Sequence, residues 1–191
     1  MSCRYMWSLV RPAEVIASRA VCTLVLLFVF IPGAPAQNDE FEYGLSPVYG
    51  TPRSPELDLG GLDGKRYRLS DYAGSVVLVN FWATWCPPCV QEMPTLQNLA
   101  DLLADENFVI LAVNLGEDEK QIEDFLKKFR PALEFPILLA RDQSIMVDWK
   151  IQGLPATYIL DTQGRWAYQA LGPRDYAHQH IVSRLRQLMS E

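Results

Sequence analysis

The sequence predicts an α/β fold in which a central sheet is layered by helices. Two apolar runs, 76–82 and 108–113, lack polar alternation, which is typical of strands that are buried on both faces. Segments with apolar residues at every third or fourth position follow each run and predict helices. From residue 76 the expected order is strand, helix, strand, helix, strand, short helix, strand, strand, helix, and no internal repeat is visible.

The segment before the first buried strand predicts an added β-hairpin. Residues 56–69 hold three leucines, then a turn signal at Asp63-Gly64, then apolar and polar residues in alternation. Residues 70–72 are expected to open a short helical turn. The apolar strand 76–82 follows directly.

The first long helix is expected from residue 87 to about residue 104. Pro94 lies inside it and is expected to kink it, because the proline ring removes one backbone donor. The apolar face of this helix consists of Val90, Met93, Leu96, Ala100 and Leu103.

The second half of the chain predicts the remaining elements. After a loop at 116–119, a helix containing Ile122, Phe125, Leu126 and Phe129 has acidic residues at its start and Lys127, Lys128 and Arg130 at its end, which suits the helix dipole. The other elements are a strand at 135–139, a short helix or turn at 145–151, a hairpin of strands 156–160 and 166–171, and a helix at 175–189.

The size and charge of the chain limit its function. The 191 residues are enough for one domain with a real core plus some extra length. The net charge is −6, and it is uneven: the first 36 residues hold three arginines and one glutamate, which leaves 14 basic and 22 acidic side chains, or −8, in the rest. An acidic domain without a basic stripe argues against nucleic acid as a partner.

The first 36 residues have the order of a secretory signal. A segment with three arginines precedes an apolar run at 20–31, and Ala34-Pro35-Ala36 ends in the small residues that a signal peptidase reads. The run of about 12 residues is short for a membrane span, which needs about 20. We expect 1–36 to be a signal peptide or a retained membrane anchor, 37–55 a linker or leader strand, and 56–191 the domain.

The cysteines indicate redox chemistry. Cys3 and Cys22 lie in the leader, so the domain owns only Cys86 and Cys89, separated by two residues at the junction of a strand and a helix. The Cys86 sulfur is expected at the helix N-terminus, where free N–H groups and the dipole favour a thiolate. Pro87 suits the first helical position. Cys89, one turn later, is placed to attack a mixed disulfide, and the spacing fits a short reversible disulfide.

Zinc or two structural cysteines are the alternatives for this pair. Zinc needs more ligands, and the domain adds only His178 and His180. These two are two residues apart on a predicted helix, so they are expected on different faces, as solvated surface residues.

Three motifs in order resemble a known family. They are Phe81-Trp82-Ala83-Thr84-Trp85-Cys86-Pro87-Pro88-Cys89, then Glu92-Met93-Pro94, then Gly153-Leu154-Pro155-Ala156-Thr157. Together, over roughly residues 50–190, they resemble the thioredoxin-like proteins of the TlpA/ResA group. The resemblance implies the thioredoxin fold, a central mixed sheet flanked by helices, with an N-terminal β-hairpin extension and a central helical insertion near residues 115–136.

The resemblance also implies roles for individual residues. Pro155 matches a cis proline opposite the dithiol, which presents the backbone of Leu154 to an extended substrate segment. Glu92 matches an acidic residue whose pKa rises on burial and which exchanges protons with the cysteines. Asn80 stands where thioredoxin itself carries a buried acid, and Asn cannot titrate, so Glu92 is the better candidate for that duty.

Further residues around the dithiol complete the implied site. Trp85 is expected to shield the dithiol and border the substrate groove, which Pro87 and Pro88 also help to form. Trp82 is expected in the core. The catalytic set is therefore Cys86, Cys89 and Glu92, with Cys86–Cys89 as the redox-active disulfide, and no cofactor or metal is implied.

These features predict an exported thiol–disulfide oxidoreductase that reduces oxidised cysteines of periplasmic or extracytoplasmic client proteins. The absence of histidine between the cysteines favours a reductant or a middling potential. The family's clients include apocytochrome c and copper-site assembly proteins, and its electron donor is a membrane thiol reductase. Ala156 departs from the Gly-x-Pro-Glu-Thr pattern of the cytochrome-maturation branch, which argues against a dedicated role in haem maturation.

Two other functions are alternatives to this one. A copper-binding chaperone of the thioredoxin fold would use the same cysteines as ligands, but such proteins space their cysteines one residue wider and add a nearby histidine. Peroxide reduction would call for a Pro-x-x-x-Thr-x-x-Cys pattern, which the sequence lacks.

Overall fold

The computed structural model describes residues 44–191, and its centre is an eight-stranded mixed sheet with the strand order β1-β8-β7-β4-β5-β6-β2-β3. The central mixed sheet predicted from the sequence is therefore confirmed. The predicted leader, 1–36, lies outside the described residues. The strands are β1 Ser46–Pro47, β2 Asp58–Gly61, β3 Arg66–Arg68, β4 Val76–Trp82, β5 Phe108–Leu115, β6 Ile137–Ala140, β7 Ala156–Leu160 and β8 Trp166–Leu171.

Strand β4 is the middle of the sheet. It runs parallel to β5 and antiparallel to β7, so that Phe81 lies opposite Val113 on one side and Ala156 on the other. All seven of its residues are buried, which explains why its sequence is apolar without alternation.

Alternate residues of the strands build two separate cores, because successive side chains point to opposite faces. In β4, Leu78 and Trp82 belong to the core that also holds both cysteines, whereas Val79 and Phe81 belong to the other. We call these the dithiol face and the aromatic face of the sheet.

The added hairpin predicted at 56–69 is confirmed. Strands β2 and β3 are antiparallel, with Leu59 opposite Tyr67, and β2 also pairs with β6. Gly64 has a φ of +80°, which glycine adopts readily in such a turn. A 3₁₀ turn at Leu69–Tyr72 follows. At the opposite end of the sheet, β1 lies within the predicted linker and pairs with β8.

Four helices lie in the described residues: α1 Pro87–Leu102, α2 Glu119–Leu126, α3 Ser144–Asp148 and α4 Gln179–Met189. Helix α1 continues unbroken through Pro94, whose ring is exposed. In the described part of the chain, none of the helices is both long and apolar enough to cross a membrane.

Helix α2 is shorter than predicted. The prediction that basic residues occupy its last turn is wrong. The helix ends at Leu126, so Lys127, Lys128 and Arg130 follow it rather than occupy its last turn. The N–H groups of Lys128 and Phe129 donate three residues back, to the carbonyls of Phe125 and Leu126, so 3₁₀-type turns replace the α-helical pattern after Leu126. Phe129 lies beyond the helix but still packs on the dithiol-face core.

Helix α4 begins at Gln179 rather than at the predicted residue 175. The Asp175 carboxylate accepts the Ala177 N–H at 3.1 Å, a local turn that competes with helix formation. His178 caps the helix, and its ring stacks on His180 with the ring centroids 5.4 Å apart. The prediction that these histidines lie on different faces is therefore wrong, because His178 precedes the helix.

Two further boundaries differ slightly from prediction. Strand β6 begins at Ile137 rather than at residue 135, since Pro136 directly before it has no N–H to donate. Helix α3 is confined to 144–148, within and just before the predicted 145–151 segment.

Candidate active site

Cys86 and Cys89 form a disulfide at the start of α1, with their Cα atoms 5.3 Å apart. Cys86 is the N-cap of the helix, and its sulfur accepts the Cys89 N–H at 3.3 Å. Cys86 is 4% exposed, whereas Cys89 is fully buried. The more accessible sulfur is therefore the one that lies at the positive end of the helix dipole.

The local sequence explains why Cys86 occupies this position. Strand β4 ends at Trp82, and the Cys86 N–H donates to the Ala83 carbonyl at 3.2 Å, which closes a tight turn before the helix. Pro87 takes the first helical position, where the missing N–H costs nothing. The turn and the proline together aim the Cys86 sulfur at the free N–H groups of the first helical turn.

A groove of about 550 Å³ opens beside Cys86. The predicted residues Trp85, Pro87, Pro88 and Leu154 all line it, and Trp85 is 66% exposed. The other lining residues are Cys86, Leu115, Gly116, Ala140, Asp142, Gln143, Met146, Gln152 and Gly153. The groove is thus mainly apolar, with one acidic side chain and none that is basic.

Pro155 lies next to this groove without lining it. The Leu154–Pro155 peptide bond is cis, as the resemblance implied. Pro155 is buried, and its carbonyl accepts the Gly172 N–H at 2.9 Å. Leu154 is consequently held between the groove and the start of β7.

Glu92 is buried behind the dithiol rather than in the groove. It is 1% exposed and lies three residues after Cys89 on the same face of α1. Its carboxylate accepts the Asn80 Nδ2–H at 2.7 Å and the Arg174 N–H at 3.3 Å. Burial raises the pKa of Glu92 to about 8, and these hydrogen bonds only partly oppose that rise. At neutral pH the group is therefore mostly protonated.

Asn80 links Glu92 to a buried polar chain. Its amide also donates to Thr157 Oγ1 at 2.9 Å, and the Tyr176 hydroxyl donates to the same oxygen at 2.6 Å. Burial, followed by the nearby Glu92, raises the pKa of Tyr176 well above its ordinary value. Sequence reasoning missed Thr157 and Tyr176, although Thr157 is the polar residue of an otherwise apolar strand.

Glu117 is a second carboxylate near the dithiol that the sequence did not single out. It accepts the Thr84 N–H and the Asn114 Nδ2–H, both at 2.7 Å. Thr84 lies in the loop that leads to Cys86. The signal available in the sequence was slight: an acidic residue after Gly116, at the end of a buried strand.

The site region offers few metal ligands. Within residues 44–191, no three histidine, cysteine, aspartate or glutamate side chains are grouped closely enough to hold one. The two cysteines are bonded to each other.

The chain is similar to known redox proteins in sequence. The model of the Redoxin family matches residues 36–183. The thiol–disulfide oxidoreductase ResA of Geobacillus thermodenitrificans is 38% identical over 112 residues, which are 59% of this chain and 63% of that protein. The matched segment therefore spans less than two thirds of this relative.

Solved structures resemble the described fold. One assigned as the thiol:disulfide interchange protein DsbE of Chlorobium tepidum has a TM-score of 0.66 and 27% identity, over 73% of this chain and 96% of that chain. The exposed lipoprotein thioredoxin of Streptococcus pneumoniae has a TM-score of 0.60 and 28% identity, over 70% of this chain and 100% of that one. The predicted thioredoxin-like fold is thereby confirmed.

Proposed function

The chain belongs to the Redoxin family, as the resemblance to the TlpA/ResA group implied, and from that membership we propose that it is a thiol–disulfide oxidoreductase that reduces client disulfides through Cys86 and Cys89. The observation that carries the proposal is the pairing of these two cysteines at the N-terminus of α1, beside an apolar groove. Such an end favours the thiolate, which is the form that attacks a disulfide.

The first step joins the protein to its client. In the reduced protein the Cys86 thiolate attacks one sulfur of the client disulfide. A Cys86–client S–S bond forms, the client S–S bond breaks, and the second client sulfur leaves as a thiolate that takes up a proton. The exposed edge of Cys86 in the groove supports this order of events.

The second step releases the client. Cys89 loses its proton and attacks the Cys86 sulfur, so that the Cys86–Cys89 disulfide forms and the client leaves with both cysteines reduced. Glu92 is suited to move this proton, because it is buried on the same helix face and its pKa of about 8 lies near neutral pH. As a carboxylate it accepts the proton of Cys89, whereas the departing client thiolate takes up its proton from solvent in the groove.

The groove provides the binding surface for the client. Trp85, Pro87 and Pro88 form one wall, and Leu154 supplies the backbone beside the cis proline for an extended segment. The apolar lining favours a client whose oxidised cysteines lie among apolar residues.

We place this activity outside the cytoplasm. The support is the signal-like order of residues 1–36 and the similarity to a lipoprotein described as exposed. The clients are proteins with oxidised cysteines, among them apocytochrome c or copper-site assembly proteins, and the electron donor is a membrane thiol reductase. A segment 1–36 that is cleaved leaves a soluble domain, and one that is retained tethers it to the membrane.

A trapping experiment tests the proposal. Cys89→Ser keeps the attacking sulfur but removes the one that releases the client, so it should accumulate a mixed disulfide through Cys86 with a synthetic peptide that holds one internal disulfide between apolar residues. The covalent product is measured by mass spectrometry after thiol blocking, with Cys86→Ser as the control that gives none. Absence of the adduct, together with tight stoichiometric binding of Cu(I) by the reduced wild-type protein, would favour the copper chaperone instead.

A further inference from the structure

The Glu117 carboxylate gathers four hydrogen bonds from three elements. It accepts the Thr84 backbone N–H at 2.7 Å and the Thr84 hydroxyl, the Asn114 Nδ2–H at 2.7 Å and the Gln121 Nε2–H at 2.6 Å. Asn114 lies in β5, Gln121 in α2 and Thr84 in the loop between β4 and α1. One half-buried side chain therefore joins segments that are 33 residues apart in sequence.

All four donors are neutral groups. In the part of the chain that the structure describes, none of the ion pairs includes Glu117. Hydrogen bonds to a charged acceptor are the stronger kind, and several of them to one carboxylate fix its direction as well. Asn114 is 1% exposed and so offers Glu117 a rigid support.

Thr84 is the point at which this cluster reaches the dithiol. It lies inside the turn that the Cys86 N–H closes onto the Ala83 carbonyl, and Trp85 directly follows it. Both the backbone and the hydroxyl of Thr84 are held by Glu117, and Gln121 Nε2 also donates to that hydroxyl at 3.2 Å. The path of the chain into Cys86 is therefore fixed from outside the loop.

Glu117 also lies directly after the other wall of the groove. Leu115 and Gly116 line that wall, and Trp85 and Cys86 line the wall that follows Thr84. Gly116 has a φ of +74°, and its N–H donates to the Ala140 carbonyl at 3.0 Å, so this wall is tied to β6. The carboxylate thus connects the two sides of the groove.

We propose that Glu117 is a positioning residue for thiol–disulfide exchange. It sets the distance between the loop 83–86, which leads into the dithiol, and the groove wall formed by Leu115 and Gly116. The inference rests on the proposed function. It predicts that a client which fills the groove depends on Glu117, whereas a small disulfide that meets only the Cys86 sulfur does not. Glu117 acts through Thr84 and touches neither sulfur.

Glu117→Gln tests this, because the amide keeps the size of the side chain but turns one acceptor into a donor that faces other donors. We expect kcat/KM for reduction of the peptide disulfide to fall about tenfold. Reduction of hydroxyethyl disulfide should change less than about twofold. Glu123→Gln removes the same charge from the exposed face of α2 and should leave both rates unchanged.

Thr84→Val supplies an independent arm, since it removes the hydroxyl and keeps the backbone N–H. We expect a severalfold loss with the peptide alone, and the double variant should fall no further than Glu117→Gln, because both changes break one contact. If Glu117→Gln fails to fold by circular dichroism, the Thr84→Val result decides.

The outcomes separate this inference from the proposed function. A wild-type protein that reduces neither disulfide would overturn the proposed function. A wild-type protein that reduces both, with variants that equal it on the peptide or that slow both substrates alike, would overturn the role of Glu117.

Discussion

The two faces of the sheet both bury apolar side chains but differ in the polar groups that they hold. The dithiol face holds a chain of hydrogen-bonded side chains: Glu92, Asn80, Thr157 and Tyr176. The aromatic face holds Phe81, Trp149, Tyr158 and Trp166, whose neighbouring ring centroids lie 5.0 to 6.0 Å apart. One face therefore keeps titratable groups near the sulfurs, and the other is packed by rings.

The difference between the two faces indicates that residues for exchange chemistry lie on one face and residues that mainly stabilise the fold lie on the other. The polar chain is costly, because buried polar groups must be paired to be tolerated. Aromatic packing adds about 0.5–1.5 kcal/mol per ring pair beyond burial. The aromatic face has a polar cost of its own, because the indole N–H groups of Trp149 and Trp166 are buried without a hydrogen-bond partner. We expect changes on the dithiol face to alter exchange chemistry or its pH dependence, and changes on the aromatic face to alter stability alone.

Cys86→Ser should have the largest effect, and the effect should be on exchange activity rather than on stability. Serine supplies no thiolate, so reduction of the peptide disulfide should be abolished, as measured by thiol release. The free energy of unfolding should stay within about 1 kcal/mol of the reduced wild-type protein, since a near-isosteric change is made. Full activity in both Cys86→Ser and Cys89→Ser would refute the mechanism.

Trp149→Ala should have the converse effect. Trp149 is fully buried among aromatic rings, and its removal should lower the free energy of unfolding by about 3–5 kcal/mol in urea titrations. The exchange rate of the folded fraction should change less than about twofold. A tenfold slower exchange at unchanged stability would show that the two faces are not independent.

Glu92→Gln should change the pH dependence of both stability and reactivity. The native state binds one more proton than the unfolded state between the ordinary pKa of glutamate, about 4.3, and about 8, so wild-type stability falls as the pH rises through that window. The variant lacks this loss and should be more stable than wild type at pH 8 by on the order of 4 kcal/mol, with the two within about 1 kcal/mol at pH 4. Urea titrations at both pH values provide the measurement.

The same variant should alter the pH profile of cysteine alkylation in the reduced protein. Asp101→Asn, an exposed acid later in α1, is the control that should leave the profile as in wild type. An unchanged profile in Glu92→Gln would reduce Glu92 to a structural role.

Tyr176→Phe should have the smallest effect. It deletes the hydroxyl that donates to Thr157 and should cost about 1 kcal/mol of stability. Tyr49→Phe, at a residue that is 92% exposed, should cost nothing measurable. A loss of several kcal/mol from Tyr176→Phe would mean that the polar chain is more tightly coupled than its pairwise contacts indicate.

Local patterns predicted the fold well where a single force dominates. The bounds of β4 and β7 follow from largely apolar runs, those of β8 from its place in the hairpin after the turn at 161–164, and the N-terminal hairpin from alternation around a turn. The end of α2 and the start of α4 differ from the prediction, because tight turns after Leu126 and at Asp175 act against the apolar periodicity that extends past them.

The site was predictable only in the part that lies close together in sequence. The dithiol, Trp85 and the two prolines come from one motif, and Glu92 lies one turn later. Glu117 meets Thr84 only because parallel pairing of β4 and β5 brings the ends of both strands to the same edge. No local pattern carries that contact, and the same holds for Tyr176 with Thr157, which are 19 residues apart.

The two edge strands of the sheet also affect the tendency of the protein to aggregate with unfolded chains. Within residues 44–191 the outermost strands have two and three residues, one with Pro47 and the other with Arg66 and Arg68. Short borders that carry proline or charge offer little backbone for foreign chains to extend. These borders therefore limit co-aggregation with the extended client segments proposed above.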